Sequence, residues 1–195
     1  MLFETNIRDL LKMLPSRQMH REKQKVRELL IQKRRMLSAD ERKELSESIL
    51  SQLERMTIFQ EAKTVLLYYP KNNEVDVLPL FKRYKREKTL LLPVTHRREM
   101  AAHPFEGNDK MHRGKFGIPE PTTPAYEGAI DLIIVPGVAF TRNGKRLGRG
   151  KGYYDKYLSR EGFRATKIGV CYNEQLVEEI PDEPHDIIMD DVIFG

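Results

Sequence analysis

Arg146-Leu147-Gly148-Arg149-Gly150-Lys151-Gly152-Tyr153-Tyr154-Asp155 comes shortly after Ile130-Asp131-Leu132-Ile133-Ile134-Val135-Pro136-Gly137-Val138-Ala139-Phe140. The apolar run reads as a buried strand over 130–136 and its exit. Residues 153–160 read as a helix, so the glycine string is a strand-to-helix loop. Alternating glycines let a backbone approach a ligand closely and take positive φ. A helix start adds N–H donors and a positive dipole end, which suits phosphate. Arg149 and Lys151 add mobile positive charge. Asp155 is out of place in a plain anion site, and a carboxylate beside phosphate-binding groups suggests a bridging magnesium. Two familiar fingerprints fail. Counted from Gly144, a Walker A loop needs glycine where Arg149 stands. Gly148-Arg149-Gly150-Lys151-Gly152 brings its third glycine one residue too early for a dinucleotide loop. A glycine-rich hairpin or a solvated basic loop is the plainer alternative. The whole ten-residue string between strand and helix favours phosphate.

Outward from this string, Thr64-Val65-Leu66-Leu67-Tyr68-Tyr69 reads as a second buried strand, ending at Pro70. Val75 to Glu87 has helical spacing through Val77, Leu80, Phe81 and Tyr84, with Pro79 tolerated in the first turn. Thr89 to Val94 and Thr166 to Tyr172 read as further strands, with a last strand near the C-terminus. Continuous apolar strands in β–helix–β order argue for a mostly parallel sheet covered on both faces. Ligands bind such sheets beyond the strands' C-terminal ends. The loops carrying Glu74, the glycine string and Asn173 are therefore expected to converge. Asp190 precedes the final strand, and topology does not bring it to the site by itself.

Residues 20–37 read as a basic helix with an apolar stripe of Val26, Leu30 and Leu37. Lys23 and Arg27 lie four apart on one face, although two basic residues on a helix are ordinarily just solvated. Ser38-Ala39-Asp40-Glu41 is a capping box opening a helix that runs to about Met56. Residues 1–19 read as an N-terminal appendage, with Ser16 to Met19 as its link. Glu99 to Phe105 fits a short strand, 106–128 a long Gly- and Pro-rich loop, and Asn173 to Ile180 a short helix. Cys171 reads as buried packing rather than a nucleophile.

The 195-residue length suits one domain with a real core, and 39% hydrophobic against 32% charged residues suits a globular chain. No apolar run is long enough to span a bilayer. The N-terminus lacks a secretory pattern, and a single cysteine cannot frame disulfides, so the cytoplasm is the expected compartment. The net charge of +5 fits a surface of mixed charge better than nucleic-acid binding. The expected partner is an anionic small molecule, with no nucleic acid and no membrane, bound by a monomer. No Cys/His set has zinc spacing and no local motif suggests a Ser-His-Asp arrangement. What remains is positioning and charge neutralisation, as in phosphoryl transfer.

At these residues the chain resembles the 5-formyltetrahydrofolate cyclo-ligase family, over nearly all of its length after about Lys23. Pro136-Gly137-Val138-Ala139-Phe140 followed by the Arg146–Asp155 string resembles the family signature. Lys23-x-x-x-Arg27 with Leu37-Ser38-Ala39-Asp40-Glu41-Arg42 is similar to its opening. Glu74-Val75-Asp76 resembles its substrate loop, Phe116-Gly117-Ile118-Pro119-Glu120-Pro121 the bacterial form of its middle motif, and Met189-Asp190 its late aspartate. The resemblance implies a three-layer α/β/α single domain over 20–195. It also implies ring closure of 5-formyltetrahydrofolate, with or without a polyglutamate tail, to 5,10-methenyltetrahydrofolate, with ATP and Mg2+. Residue roles follow by resemblance. Lys23 and Arg27 would hold ATP phosphates. Arg146, Leu147, Gly148, Arg149, Gly150, Lys151, Gly152, Tyr153 and Tyr154 would form the nucleotide cradle. Within it Arg149, Lys151 and Tyr154 would be catalytic, with Tyr154 orienting the formyl group. Tyr69 and Glu74 would meet the folate, and Asp155 and Asp190 the metal. Another ATP-dependent small-molecule kinase or ligase is the alternative reading, and a nucleic-acid-binding domain the weaker one.

Overall fold

The computed structural model describes residues 16–195 except 72, 98, 115, 116 and 182, and of residues 16 and 17 only the backbone. The expected appendage therefore lies outside the described residues over 1–15, as does Phe116 of the middle motif.

Helix α1 spans Ser16–Met36, starting earlier than its apolar stripe suggested. Helix α2 spans Ala39–Arg55 behind the expected capping box. Glu41 N–H donates to Ser38 Oγ at 3.2 Å, and Ser38 N–H donates to Glu41 Oε2 at 2.7 Å. A short α3 follows at Thr57–Glu61 and α4 at Leu78–Tyr84, with Pro79 in its first turn as expected.

Six strands build the main sheet: β1 Thr64–Leu66, β2 Thr89–His96, β3 Glu99–Pro104, β6 Leu132–Pro136, β9 Thr166–Cys171 and β10 Asp191–Phe194. Their spatial order is β10-β9-β6-β1-β2-β3. All neighbours are parallel except the edge pair of β2 with β3. Side chains alternate between two cores, as a strand's period of two requires. Val65, Leu67, Leu132 and Ile134 pack against α2, α3 and α4 through Leu50, Leu53, Phe59 and Leu80. Leu66, Ile133, Val135 and Cys171 face the other way, toward Tyr157 and Leu158 of α5, Tyr153–Leu158. The result is the α/β/α sandwich expected. Among the described residues no helix is long and apolar enough to cross a membrane.

Some local expectations give way to tertiary structure. Strand β1 is only Thr64–Leu66, because Tyr68 leaves the ladder and its hydroxyl donates to Val75 O at 2.8 Å. The segment 106–128 is not a plain loop. It holds the strands β4 Met111–Arg113 and β5 Pro119–Pro121, paired antiparallel. The helix expected over 173–180 reduces to a 3-10 turn at Asn173–Gln175. Gln175 is buried there, and its Nε2 donates to Gly137 O at 2.9 Å and Val138 O at 3.1 Å. Those contacts end the turn and fix the exit of β6.

Beyond β6 the chain forms a small hairpin, β7 Ala139–Phe140 with β8 Arg146–Leu147. Leu30 of α1 packs on it with Val138, Ala139 and Leu147. That contact lays α1 along the glycine string.

Candidate active site

Sheet order explains where the site lies. From β1 the chain runs outward to β2 and β3, then crosses back to β6, β9 and β10 on the other side. The strand order therefore reverses between β1 and β6, and parallel sheets bind ligands in the crevice outside that reversal. A cavity of about 480 Å³ opens there. The loop after β1 supplies Tyr69 and Glu74, the β6 exit supplies Pro136, and the whole string Arg146–Asp155 forms one wall. Lys23 and Arg27 reach it from α1. Of the residues expected at the site, Asn173 and Asp190 are absent from the lining.

The glycine string carries the predicted geometry at two positions. Gly150 has φ +90° and Gly152 φ +65°, conformations open to glycine but strained for other residues. Arg27 braces the string: its Nε donates to Gly148 O at 2.8 Å. Gly152 is the N-cap of α5 and has no side-chain cap. Since α5 is only 6 residues long, its dipole is a small contributor. The glycine amides and the cations carry the anion-binding character.

The charged groups hold one another in pairs. Arg149 donates from Nη2 to Glu74 Oε1 at 2.6 Å and from Nε to the same oxygen at 3.1 Å. Glu74 Oε2 accepts from Lys71 N–H at 2.9 Å. Lys23 Nζ donates to Glu183 Oε2 at 2.9 Å and Asp186 Oδ2 at 2.6 Å. Lys23's hydrogen bond, with its charge, lowers the Glu183 carboxyl below its ordinary range. Burial lowers the Arg27 guanidinium, opposed by the charges of Asp186 and Glu183. Burial pushes the Tyr154 phenol further above its ordinary range, Glu74 adds to the rise, and Arg146 opposes it. Tyr154 lines the cavity, and its phenol is an O–H donor there.

Asp155 lines the cavity and accepts from Arg146 Nη2 on Oδ1 at 2.7 Å. Asp190 does not join it. Its Oδ2 accepts from Lys167 N–H at 2.7 Å and pairs with Lys167 Nζ at 2.7 Å, near the start of β9. That is the N-terminal end of β9 and β10, whereas the cavity opens beyond the strands' C-terminal ends, so the expected pair of aspartates is not brought together. Among the described residues no cluster of three or more His, Cys, Asp or Glu side chains could hold a metal. Magnesium still fits Asp155 alone, because that ion keeps waters and takes phosphate oxygens into its shell. Asp155 has Oδ2 left for it.

The spacing argument missed several groups. Arg34 is 1% exposed and feels the charge of Glu74. Seven residues beyond Arg27, it lies on the same helix face, and that signal was readable. Glu120, on β5, falls within the middle motif but without a role assigned to it, whereas Glu183 and Asp186 come from a distant loop and left no such signal.

Fold and site together define an α/β domain with a cavity lined by cations and tyrosines at a strand-order reversal. The profile of the 5-formyltetrahydrofolate cyclo-ligase family matches residues 19–195. The chain is 33% identical over 184 residues to a 5-formyltetrahydrofolate cyclo-ligase of Mycolicibacterium smegmatis, covering 89% of this chain and 93% of that one. It is 28% identical over 190 residues to the mouse protein of that name, covering 88% and 93%. The fold matches a 5,10-methenyltetrahydrofolate synthetase of Aquifex aeolicus with a TM-score of 0.79 and 38% identity, over 88% of this chain and 89% of that one. The chain belongs to the 5-formyltetrahydrofolate cyclo-ligase family, a family of enzymes acting on a folate.

Proposed function

We propose that this enzyme closes 5-formyltetrahydrofolate to 5,10-methenyltetrahydrofolate, with ATP as the driving substrate and magnesium as its counter-ion. A formamide oxygen is a poor leaving group. Transfer of the γ-phosphoryl group of ATP onto that oxygen, with ADP leaving, makes it a good one. The folate N10 then forms the new C–N bond and gives up its proton, and the C–O bond breaks to release phosphate.

One observation supports this most: a cation-lined glycine string and an aromatic wall share one cavity. Arg149, Lys151 and the amides of Gly148, Gly150 and Gly152 suit a phosphoryl group in transit, held by charge rather than by covalent chemistry. Lys23 and Arg27 suit the remaining phosphates from the α1 side. Incoming phosphates would compete with Glu183 and Asp186 for Lys23. Tyr154, an O–H donor in the cavity, suits a hydrogen bond to the formyl oxygen. Arg146 and Leu147 anchor the string, with Arg146 aiming Asp155. Magnesium, when bound, neutralises phosphate charge. Tyr69, Tyr153 and Glu74 suit the folate half.

The decisive assay mixes purified protein, 5-formyltetrahydrofolate, ATP and magnesium and follows the methenyl product's absorbance. Product must require both substrates. Phosphate release from ATP without methenyl product would point instead to another small-molecule kinase or ligase.

A further inference from the structure

Glu120 sits on β5 in the hairpin that follows the sheet's antiparallel edge, and it lines the cavity. Its side chain is 9% exposed. The nearest ionic partner is His112, whose Nε2 stands 4.0 Å away, beyond hydrogen-bond reach. The contrast with Glu74 across the cavity is instructive. Glu74 is equally buried, but both its oxygens already accept N–H donors from Arg149 and Lys71. Glu120 thus turns a mostly buried carboxyl toward the cavity with no hydrogen-bond partner among the described residues, which leaves it available to a ligand. Nearby, Thr95 of the adjoining strand β2 also has a buried hydroxyl without a partner, and it too lines the cavity. Glycine at 114 makes the arrangement possible. A Cβ there would stand 2.6 Å from Glu120 Oε2, so any side chain would push the carboxyl away.

We infer that Glu120 is a substrate-recognition residue, accepting the paired N–H donors of the folate's 2-amino-4-oxopteridine edge. The inference rests on the folate reading above. That edge presents a ring N–H and an exocyclic amine side by side, a match for two carboxyl oxygens. Its binding would supply the partners Glu120 lacks and fix the ring's orientation, with the formyl group directed to the glycine string. The apolar residues Ile118, Pro93 and Met100 line the same cavity.

The test compares 5-formyltetrahydrofolate with its 2-desamino-2-methyl analogue on wild type, Glu120→Gln and Gly114→Ala. Binding is measured without ATP, followed by KM and kcat for each substrate. Wild type should prefer the parent folate by about 10- to 100-fold, the worth of hydrogen bonds to a charged group. In Glu120→Gln the preference should shrink to about threefold or less, with KM for ATP and the melting temperature unchanged. Gly114→Ala should do the same by displacing the carboxyl. Equal discrimination in wild type and both variants overturns the inference, as does a wild type that does not discriminate. A wild type that forms no methenyl product from formyl folate and ATP fails the underlying reading first, and that result is visible before any variant is made.

Discussion

Gly150 holds φ at +90°, and a Cβ built there would lie 3.3 Å from the Arg27 guanidinium. A side chain is thus opposed twice, by the backbone and by the cation that braces the loop. Gly150→Val should cut kcat/KM for ATP by at least about 100-fold, the scale of an ångström's misplacement at a reacting centre. The site is exposed, so the melting temperature should move little. Steady-state kinetics beside a thermal melt reads both, and near-normal turnover would refute the cradle. Cys171 makes the opposite kind of statement. It is fully buried, and burial pushes its thiol from 9.0 up to about 12. Here the unfolded chain releases its proton first, so stability is whole below about pH 9 and falls as pH rises toward 12. Urea unfolding between pH 8 and about 11 should show a steeper loss for wild type than for Cys171→Ala. Parallel curves would sink the assignment. Both residues were legible: one from glycine spacing, the other from its place in an apolar strand.

Helix α1 shows how far element-scale reading reaches. Its apolar spacing predicted a helix, but its inward face is Met19, Lys23, Arg27, Leu30 and Arg34, three of them cationic. Periodicity finds a buried face by its oil, and this face buries charge toward a ligand site. Leu30 is the apolar anchor, packed on Val138, Ala139 and Leu147. Leu30→Ala should cost about 2–5 kcal/mol in urea unfolding. It should also raise KM for ATP, because Lys23 and Arg27 ride on the same helix. Loss of stability with an unchanged KM would separate the helix from the site. The capping box at Ser38 was readable because it is local: four consecutive residues contain both partners. The 173–180 helix was misread because Gln175 is claimed by carbonyls some forty residues upstream, which no local pattern reports.

At the scale of the molecule, the sheet was legible as parallel because its strands are apolar without alternation. Its strand order was not. The reversal between β1 and β6 depends on which crossovers the helices take, and it alone sets the loop of Glu74 beside the string of Arg149. The string itself could be read because its chemistry is contiguous. Glu120, Glu183 and Asp186 reach the cavity through the fold, while Asp190 pairs with Lys167 at the opposite end of the strands.

The Arg149–Glu74 bridge then acquires a meaning neither loop has alone. It ties the loop after β1 to the glycine string, so a change at either residue unsettles two walls of the cavity at once.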